Sequence, residues 1–129
     1  MAKYLLDTHI LIWANQDRGK LSQNLINILS DNRHEFFISM ASIWEMQLKI
    51  QNKKLDIVPS LGCVLYEIEL KNLYTILPIK KEYIQNLEFL PFYHKDPFDR
   101  MLVSQAMLEG LTILTVDEHI MKYRIKVEN

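Results

Sequence analysis

Acidic side chains recur where the chain leaves a predicted strand or enters a predicted helix. Asp7 directly follows the short apolar run Lys3–Leu6, and Asp117 closes a later run of the same kind. Glu45 and Asp99 fall in the first turns of predicted helices. Carboxylate oxygens arranged around an open position are the ligands that Mg²⁺ and Mn²⁺ prefer. If these acids converge in the fold, the sequence predicts a site for a divalent cation.

Each acid also has a simple structural explanation as a helix cap. Ser42 and Glu45 match the S-x-x-E capping box. Asp96 followed by Pro97 is a typical N-cap and first helical residue, and Asp99 would interact favourably with the helix dipole. The two acids that follow strands could cap the helices after them. Taken together, however, acids about 5–6 Å apart would repel one another by roughly 3 kcal/mol per pair, which a bound cation would offset.

Apolar runs alternate with helical patterns and define the elements that must position these acids. The predicted strands are Lys3–Leu6, Phe36–Ser39, Tyr74–Leu77 and Leu111–Thr115, with an edge strand over Ile125–Val127. The predicted helices are Thr8–Ala14, one capped by Ser22, Ser42–Gln51, Pro59–Leu70, Lys81–Leu87, Pro97–Glu109 and Glu118–Tyr123. We therefore expect an α/β fold in one domain over residues 1–129, a three-layer α/β/α sandwich with a central parallel sheet of four to five strands. Ligands of such folds bind at the carboxyl ends of the strands, which is where the acids lie.

Composition and charge narrow the class of protein further. The 129 residues are 49% hydrophobic and carry a formal net charge of −1, which excludes binding of nucleic acid by bulk positive charge alone. The single cysteine, Cys63, excludes an intramolecular disulfide framework and a cysteine-based zinc site, and the four histidines lack the spacing of zinc hydrolases. No apolar run is long enough to span a membrane, and Asp7 interrupts the N-terminal run. We therefore expect a cytoplasmic protein without a signal peptide.

Four motifs, taken in order, are similar to those of a known family. They are Tyr4-Leu5-Leu6-Asp7-Thr8, Ser39-Met40-Ala41-Ser42-Ile43-Trp44-Glu45, Asp96-Pro97-Phe98-Asp99-Arg100-Met101-Leu102 with Ala106, and Glu109-Gly110-Leu111-Thr112-Ile113-Leu114-Thr115-Val116-Asp117. Their order and spacing extend over essentially the whole chain. On these motifs the chain resembles PIN-domain ribonucleases, in particular the VapC-type toxins of bacterial toxin–antitoxin systems.

The resemblance implies catalytic and metal-binding roles for individual acids. Asp7, Glu45, Asp99 and Asp117 align with the four acidic catalytic positions of the family. Asp7 and Asp99 align with its main metal ligands, and the implied cofactor is Mg²⁺ or Mn²⁺. The resemblance leaves open whether Glu45, Asp117 and Asp96 also contact the ion.

The function that the resemblance implies is hydrolysis of RNA. Thr8 and Thr115 align with hydroxyl positions that support the acidic site. We expect a metal-dependent endoribonuclease that hydrolyses phosphodiester bonds in single-stranded or structured RNA, acting as the toxin of a type II toxin–antitoxin pair. The implied partners are the RNA substrate, a cognate antitoxin and a second copy of the chain in a homodimer, with no membrane association.

Two other functions remain open on the sequence. A PIN nuclease could have a housekeeping role or act on DNA, and a non-catalytic module with an acidic pocket, such as a receiver-like domain, could use the same acids. A receiver should carry a phosphorylatable Asp at the end of a middle strand and a Lys after a late strand. Ser39 ends the second predicted strand and Asp117 follows the fourth, which disfavours a receiver.

Aromatic and basic side chains precede the last strong helix. The aromatic residues of this segment are Phe89, Phe92 and Tyr93. They are predicted to pack against the core, although exposed rings could instead stack on nucleic acid bases. His94 is predicted to lie in solvent or to contact RNA phosphate, and Arg100 to pair with a neighbouring acid.

Overall fold

Five parallel strands form the central sheet of the computed structural model, which describes residues 1–129. They are β1 (Lys3–Leu6), β2 (Glu35–Ser39), β3 (Thr75–Leu77), β4 (Thr112–Leu114) and β5 (Val127–Glu128), in the spatial order β3-β2-β1-β4-β5. The chain starts at the middle strand, builds outward through β2 and β3, and then crosses to the other side of β1 for β4 and β5. The carboxyl end of β1 is therefore the point where the strand order reverses, and ligands of open α/β sheets bind at such points.

Six α-helices cover the two faces of the sheet. They are α1 (Thr8–Gln16), α2 (Gln23–Ser30), α3 (Met40–Gln51), α4 (Leu61–Leu70), α5 (Lys81–Asn86) and α6 (Pro97–Glu109). One core joins the sheet to α1, α2 and α4, and the other joins it to α5 and α6. Within β1, Leu6 packs into the first core and Leu5 into the second, which explains why the strand is apolar on both faces. The predicted three-layer α/β fold is confirmed.

The helix α6 begins and ends where its local sequence predicts. Asp96 Oδ1 accepts hydrogen bonds from the backbone N–H groups of Phe98 (2.8 Å) and Asp99 (3.1 Å), and Pro97 lies in the first turn. At the other end Gly110 takes a left-handed backbone conformation, with φ of 67°, that glycine adopts without steric cost. Asp96 is therefore a helix cap, as predicted.

The helix α3 begins earlier than predicted because Ser39, and not Ser42, is its N-cap. Ser39 Oγ accepts a hydrogen bond from the backbone N–H of Ala41 (3.0 Å). Ser42 lies inside the helix, and its Oγ accepts a hydrogen bond from the Thr8 hydroxyl (2.8 Å). The predicted capping box between Ser42 and Glu45 is therefore wrong, and the Glu45 carboxylate is not used for capping.

The predicted last helix, Glu118–Tyr123, is reduced to a 3-10 turn over Ile120–Lys122. Asp117 Oδ1 accepts hydrogen bonds from the backbone N–H groups of His119 (2.7 Å) and Ile120 (3.4 Å), so this acid holds the backbone at the start of the turn, whose N-cap is His119. The other 3-10 turns are Arg18–Lys20 and Leu87–Phe89. None of the helices combines the length and the hydropathy that a membrane-spanning helix needs.

Candidate active site

Asp7 stands at the carboxyl end of the central strand, where the strand order reverses. Its backbone N–H donates to the carbonyl oxygen of Leu114 (3.0 Å), and the residue is 2% exposed. The Thr115 hydroxyl donates to Asp7 Oδ2 (2.7 Å), whereas Oδ1 is buried and has no hydrogen-bond partner. The Asp7 side chain makes no capping hydrogen bond to α1, so capping does not explain this acid.

Asp99 and Asp117 meet at the imidazole ring of His94. The His94 Nε2 atom lies 3.0 Å from Asp99 Oδ2 and 2.9 Å from Asp117 Oδ2, and one ligand atom from each of the three residues lies within 4.8 Å of the others. The Nδ1 atom of His94 accepts a hydrogen bond from the backbone N–H of Asp96 (3.1 Å), which favours the neutral tautomer with its proton on Nε2. The ring thus presents one N–H to two carboxylates.

Glu45 is the site acid that helix α3 carries. The residue is buried, and its Oε2 atom lies 3.2 Å from the Lys49 ammonium one helical turn later. Its Oε1 atom is buried without a hydrogen-bond partner. This lysine is the one ammonium group within ion-pair distance of the predicted site acids.

The acids interact through their charges, as the pKa of Asp99 shows. Burial first, and then the charges of Asp7, Asp96, Glu45 and Asp117, raise the pKa of Asp99 from its ordinary value of 3.8 to about 8. The structure therefore brings the four acids of the predicted catalytic set, together with Asp96, into one electrostatic neighbourhood.

Asp7 and Asp117 respond differently to their surroundings. Burial raises the pKa of Asp7 and outweighs the hydrogen bond from Thr115, which lowers it. Partial burial also acts to raise the pKa of Asp117, but the hydrogen bonds from His94 and from the backbone N–H of His119 outweigh it, and the net pKa is lowered. The site therefore combines one acid that ionises easily with others that resist ionisation.

This arrangement fits a divalent cation. Two carboxylate oxygens, Asp7 Oδ1 and Glu45 Oε1, are buried without a partner, although buried polar atoms are normally hydrogen-bonded. No arginine contacts the acids, and burial together with their mutual repulsion keeps the pKa of Asp99 high. Oxygen ligands with uncompensated negative charge are the donor set that Mg²⁺ and Mn²⁺ bind.

The two predicted supporting threonines have different partners. Thr115 donates to Asp7 Oδ2, and its Oγ1 accepts the backbone N–H of Asp117 (3.0 Å), so it joins two acids of the site. Thr8 donates to Ser42 Oγ and forms no hydrogen bond with a site acid. It ties α1 to α3, the helix that carries Glu45.

His94 was not assigned to the acidic site by its sequence context. The structure places its ring between two of the site acids, instead of in solvent. The signal that could have identified it is its position two residues before Asp96, at the N-terminal end of the helix that carries Asp99.

The rest of the segment before α6 also differs from the sequence prediction. Arg100 forms no ion pair with an acid, and its guanidinium donates to backbone carbonyl oxygens and to the Tyr123 hydroxyl. Tyr93 is 46% exposed and not part of the core, although its ring lies edge-on to Tyr123 at 5.1 Å between centroids. Phe89 and Phe92 are exposed, so the prediction that they pack against the core is wrong.

Known proteins share the fold that carries this site. Solved structures of similar fold include VapBC2 from Rickettsia felis bound to a promoter DNA fragment, with a TM-score of 0.71, 16% identity and 98% of both chains covered. FitAcB from Neisseria gonorrhoeae has a TM-score of 0.66 and 19% identity over 98% of this chain and 96% of that one. A toxin–antitoxin complex from Klebsiella pneumoniae has a TM-score of 0.65 and 17% identity over 98% of this chain and 96% of that one.

Sequence comparison assigns the family. A search of curated protein sequences finds no match. The family profile of the PIN domain matches residues 4–126, a range that contains all the acids of the site. The chain therefore belongs to the PIN domain family.

Proposed function

We propose that this PIN domain is an endoribonuclease that requires Mg²⁺ or Mn²⁺ and acts as the toxin of a type II toxin–antitoxin pair. PIN domains as a family are nucleases, which supports hydrolysis of a phosphodiester bond. The observation that carries the proposal is the group of buried carboxylates at the carboxyl end of β1, in which Asp7 Oδ1 and Glu45 Oε1 have no partner.

Asp7 and Asp99 would hold the cation, with Glu45 and Asp117 as further ligands or proton acceptors. When bound, Mg²⁺ or Mn²⁺ supplies positive charge that activates water for in-line attack and offsets the charge of the phosphodiester. The Thr115 hydroxyl holds Asp7 Oδ2 and leaves Oδ1 free as a ligand atom. Burial and the neighbouring acids raise the pKa of Asp99 to about 8, so a cation held by this carboxylate would favour loss of its proton at neutral pH.

Other side chains orient the acids, and one of the acids is placed to accept a proton. Lys49 holds Glu45 Oε2, so the unpartnered Oε1 is the atom free to accept a proton from the attacking water. The His94 N–H lies between Oδ2 of Asp99 and Oδ2 of Asp117, which keeps these carboxylates oriented before substrate arrives.

The toxin role is supported by the shared fold with the toxin–antitoxin complex from Klebsiella pneumoniae. We expect a cognate antitoxin to lay an apolar segment across the early helices and to present a basic side chain to the acids. An exposed groove between the end of α1 and α4 would receive the apolar segment, and Val58, Tyr66 and Leu70 line it. The proposal includes a homodimer that acts in the cytoplasm.

Cleavage of single-stranded RNA by the purified chain tests the nuclease proposal. We expect cleavage with Mg²⁺ or Mn²⁺, none with EDTA, and none by Asp7→Asn with either metal. Glu69→Gln, which removes an exposed acid of α4 outside the site, is the matched control and should keep full activity. Cleavage that survives EDTA or Asp7→Asn would contradict the assignment, and preferential cleavage of a single-stranded DNA of the same sequence would favour the DNA-directed alternative.

Expression in a bacterial host tests the toxin role separately. Growth should stop on expression of the wild type, continue with Asp7→Asn, and recover when the product of the neighbouring reading frame is co-expressed. An active nuclease that neither arrests growth nor binds that product would favour a housekeeping role instead.

A further inference from the structure

The segment between α5 and α6 presents an exposed ring beside the acidic site. Phe92 is 80% exposed, although a phenylalanine normally buries its ring. It lies two residues before His94, so its Cα is within about 7 Å of the Cα of the residue that contacts Asp99 and Asp117. A molecule bound at the acids can therefore reach the Phe92 ring.

The Phe92 ring is held in place by a buried cation. The Arg100 guanidinium carbon lies 4.2 Å from the ring centroid of Phe92, within the range of a cation–π contact. The oxygens that accept hydrogen bonds from Arg100 are those of Leu87, Leu90, Pro91 and the Tyr123 hydroxyl. One face of the ring is thus backed by Arg100, and the exposure of the residue leaves the other available.

The same contacts fix the ring relative to the acids. The Tyr123 hydroxyl accepts a hydrogen bond from Arg100 Nη1 (3.2 Å) and from the backbone N–H of His94 (3.1 Å), and it donates to the carbonyl oxygen of Pro91 (2.7 Å). The backbone on both sides of Phe92 is therefore tied to one phenol oxygen. A fixed ring loses little conformational entropy when a flat molecule stacks on it.

We propose that Phe92 is a base-stacking platform that binds a nucleotide next to the phosphate held at the acidic site. This rests on the proposed function, since it concerns how the same site recognises single-stranded RNA. Stacking on aromatic rings accepts every base and is a main source of affinity for single strands, with a contribution from arginine behind the ring.

The charge of the molecule supports a base as the occupant. A net charge of −1 and a cluster of carboxylates offer little attraction to the RNA backbone, so affinity has to come from another interaction. Lys95, which is exposed and forms no ion pair, follows His94 and could contact the adjoining phosphate. An aromatic ring and a free cation next to a phosphodiester site fit a nucleotide better than they fit a protein surface.

Binding of labelled oligonucleotides tests the proposal without reliance on cleavage. Fluorescence anisotropy would be measured with a single-stranded RNA and with an abasic strand of the same length, with Ca²⁺ in place of Mg²⁺ or Mn²⁺ so that the acids carry a cation, and gel analysis would check that the RNA stays intact. Phe92→Ala should weaken binding of the RNA about tenfold and leave binding of the abasic strand unchanged. Phe92→Tyr should restore binding, and Phe89→Ala, which removes a ring that is 76% exposed and lacks the Arg100 contact, should bind as wild type.

The possible results separate this proposal from the proposed function. Equal binding of RNA by Phe92→Ala and wild type, equal losses on both strands, or no binding by the wild type would overturn the stacking role. A change in oligomeric state or in antitoxin binding with RNA affinity intact would make Phe92 part of a protein interface, and would also overturn it. A wild type that binds RNA through Phe92 but cleaves nothing with Mg²⁺ or Mn²⁺ would leave stacking standing and refute the nuclease instead.

Discussion

Two regions of this molecule bury charge of a single sign, and they treat that charge in opposite ways. Arg100 is 6% exposed and contacts no carboxylate, but its guanidinium donates to three carbonyl oxygens and one phenol oxygen. In the acidic site, Asp7 Oδ1 and Glu45 Oε1 are buried without any partner. The buried guanidinium therefore has all its hydrogen-bond partners within the protein, whereas two oxygen atoms of the buried acids have none.

This difference indicates that Arg100 stabilises the fold, whereas the acids of the site are arranged to bind a ligand. Loss of a fully hydrogen-bonded buried cation leaves its acceptors unsatisfied, which costs stability. Acids that are buried and that repel one another already cost stability when no ligand is bound, and both effects raise the pKa of Asp99. The rules that buried polar atoms are hydrogen-bonded and that like charges are kept apart are typically broken at functional sites.

The largest effect is expected from Asp99→Asn. The substitution removes a predicted metal ligand, so metal-dependent RNA cleavage should fall by more than about 100-fold, the upper range for loss of a group that only supports a ligand. The melting temperature of the metal-free protein should stay unchanged or rise, because asparagine removes a carboxyl whose ionised form is disfavoured by burial and by the neighbouring acids. Cleavage assays and thermal melting of the same preparation measure both effects, and an active Asp99→Asn protein would refute the assigned site.

Arg100→Met should have the opposite effect on stability. It leaves the carbonyl oxygens and the Tyr123 hydroxyl without their donor, and we expect a loss of about 3 kcal/mol in the free energy of unfolding, measured by urea denaturation. Arg33→Met is the matched control, because Arg33 pairs with Asp31 on the surface and should contribute little. Equal stability of the two variants would show that the internal hydrogen bonds of Arg100 do not hold the fold.

Local signals explain which parts of the fold were predictable from sequence. The strand β1 matches its prediction because burial on both faces requires an unbroken apolar run. The bounds of α6 match because Asp96, Pro97 and Gly110 act within one turn of the helix ends. The start of α3 could not be chosen correctly, because Ser39 and Ser42 are both possible caps and the contact of Ser42 with a distant threonine is invisible in the sequence.

The candidate site was predictable in its acids and not in its contacts. His94 meets Asp117 across 23 positions of the chain, and that contact depends on β4 lying beside β1. Arg100 follows Asp99 directly, but consecutive side chains of a helix do not face each other, so proximity in sequence misled the ion-pair prediction. The contact between the Phe92 ring and the Arg100 guanidinium is likewise a tertiary contact that no local pattern of the sequence indicates.

The pH dependence of stability sharpens the comparison further. Between its unfolded pKa near 3.8 and its folded pKa of about 8, Asp99 keeps a proton in the folded state that the unfolded chain has lost. Unfolding free energy of the metal-free protein should therefore fall as pH rises through this window, by up to about 1.4 kcal/mol per pH unit, and level off above it. Urea denaturation at a series of pH values measures the slope.

Two comparisons assign that slope to the acidic site. In Asp99→Asn most of it should disappear, and saturating Mg²⁺ should reverse it, because a cation binds the ionised acids and adds stability as pH rises. Arg100→Met should lower the whole curve without changing its slope, since a guanidinium does not titrate in this range. An unchanged slope in Asp99→Asn would show that its carboxyl is not the group being titrated.

The smallest effect is expected three residues away from the largest, at Asp96. Its Oδ1 atom caps α6 through the N–H groups of Phe98 and Asp99, and asparagine is an equally good N-cap, so Asp96→Asn should change stability by less than about 0.5 kcal/mol. Asp96→Ala, which removes the cap, should cost about 1 kcal/mol. Asp96→Asn should also keep most of the RNA cleavage activity, since its carboxylate already has a partner in the chain, unlike the free oxygens of the acidic site. Melting and cleavage of both variants decide the matter, because a well-folded but inactive Asp96→Asn protein would place this acid among the metal ligands and not only at the helix end.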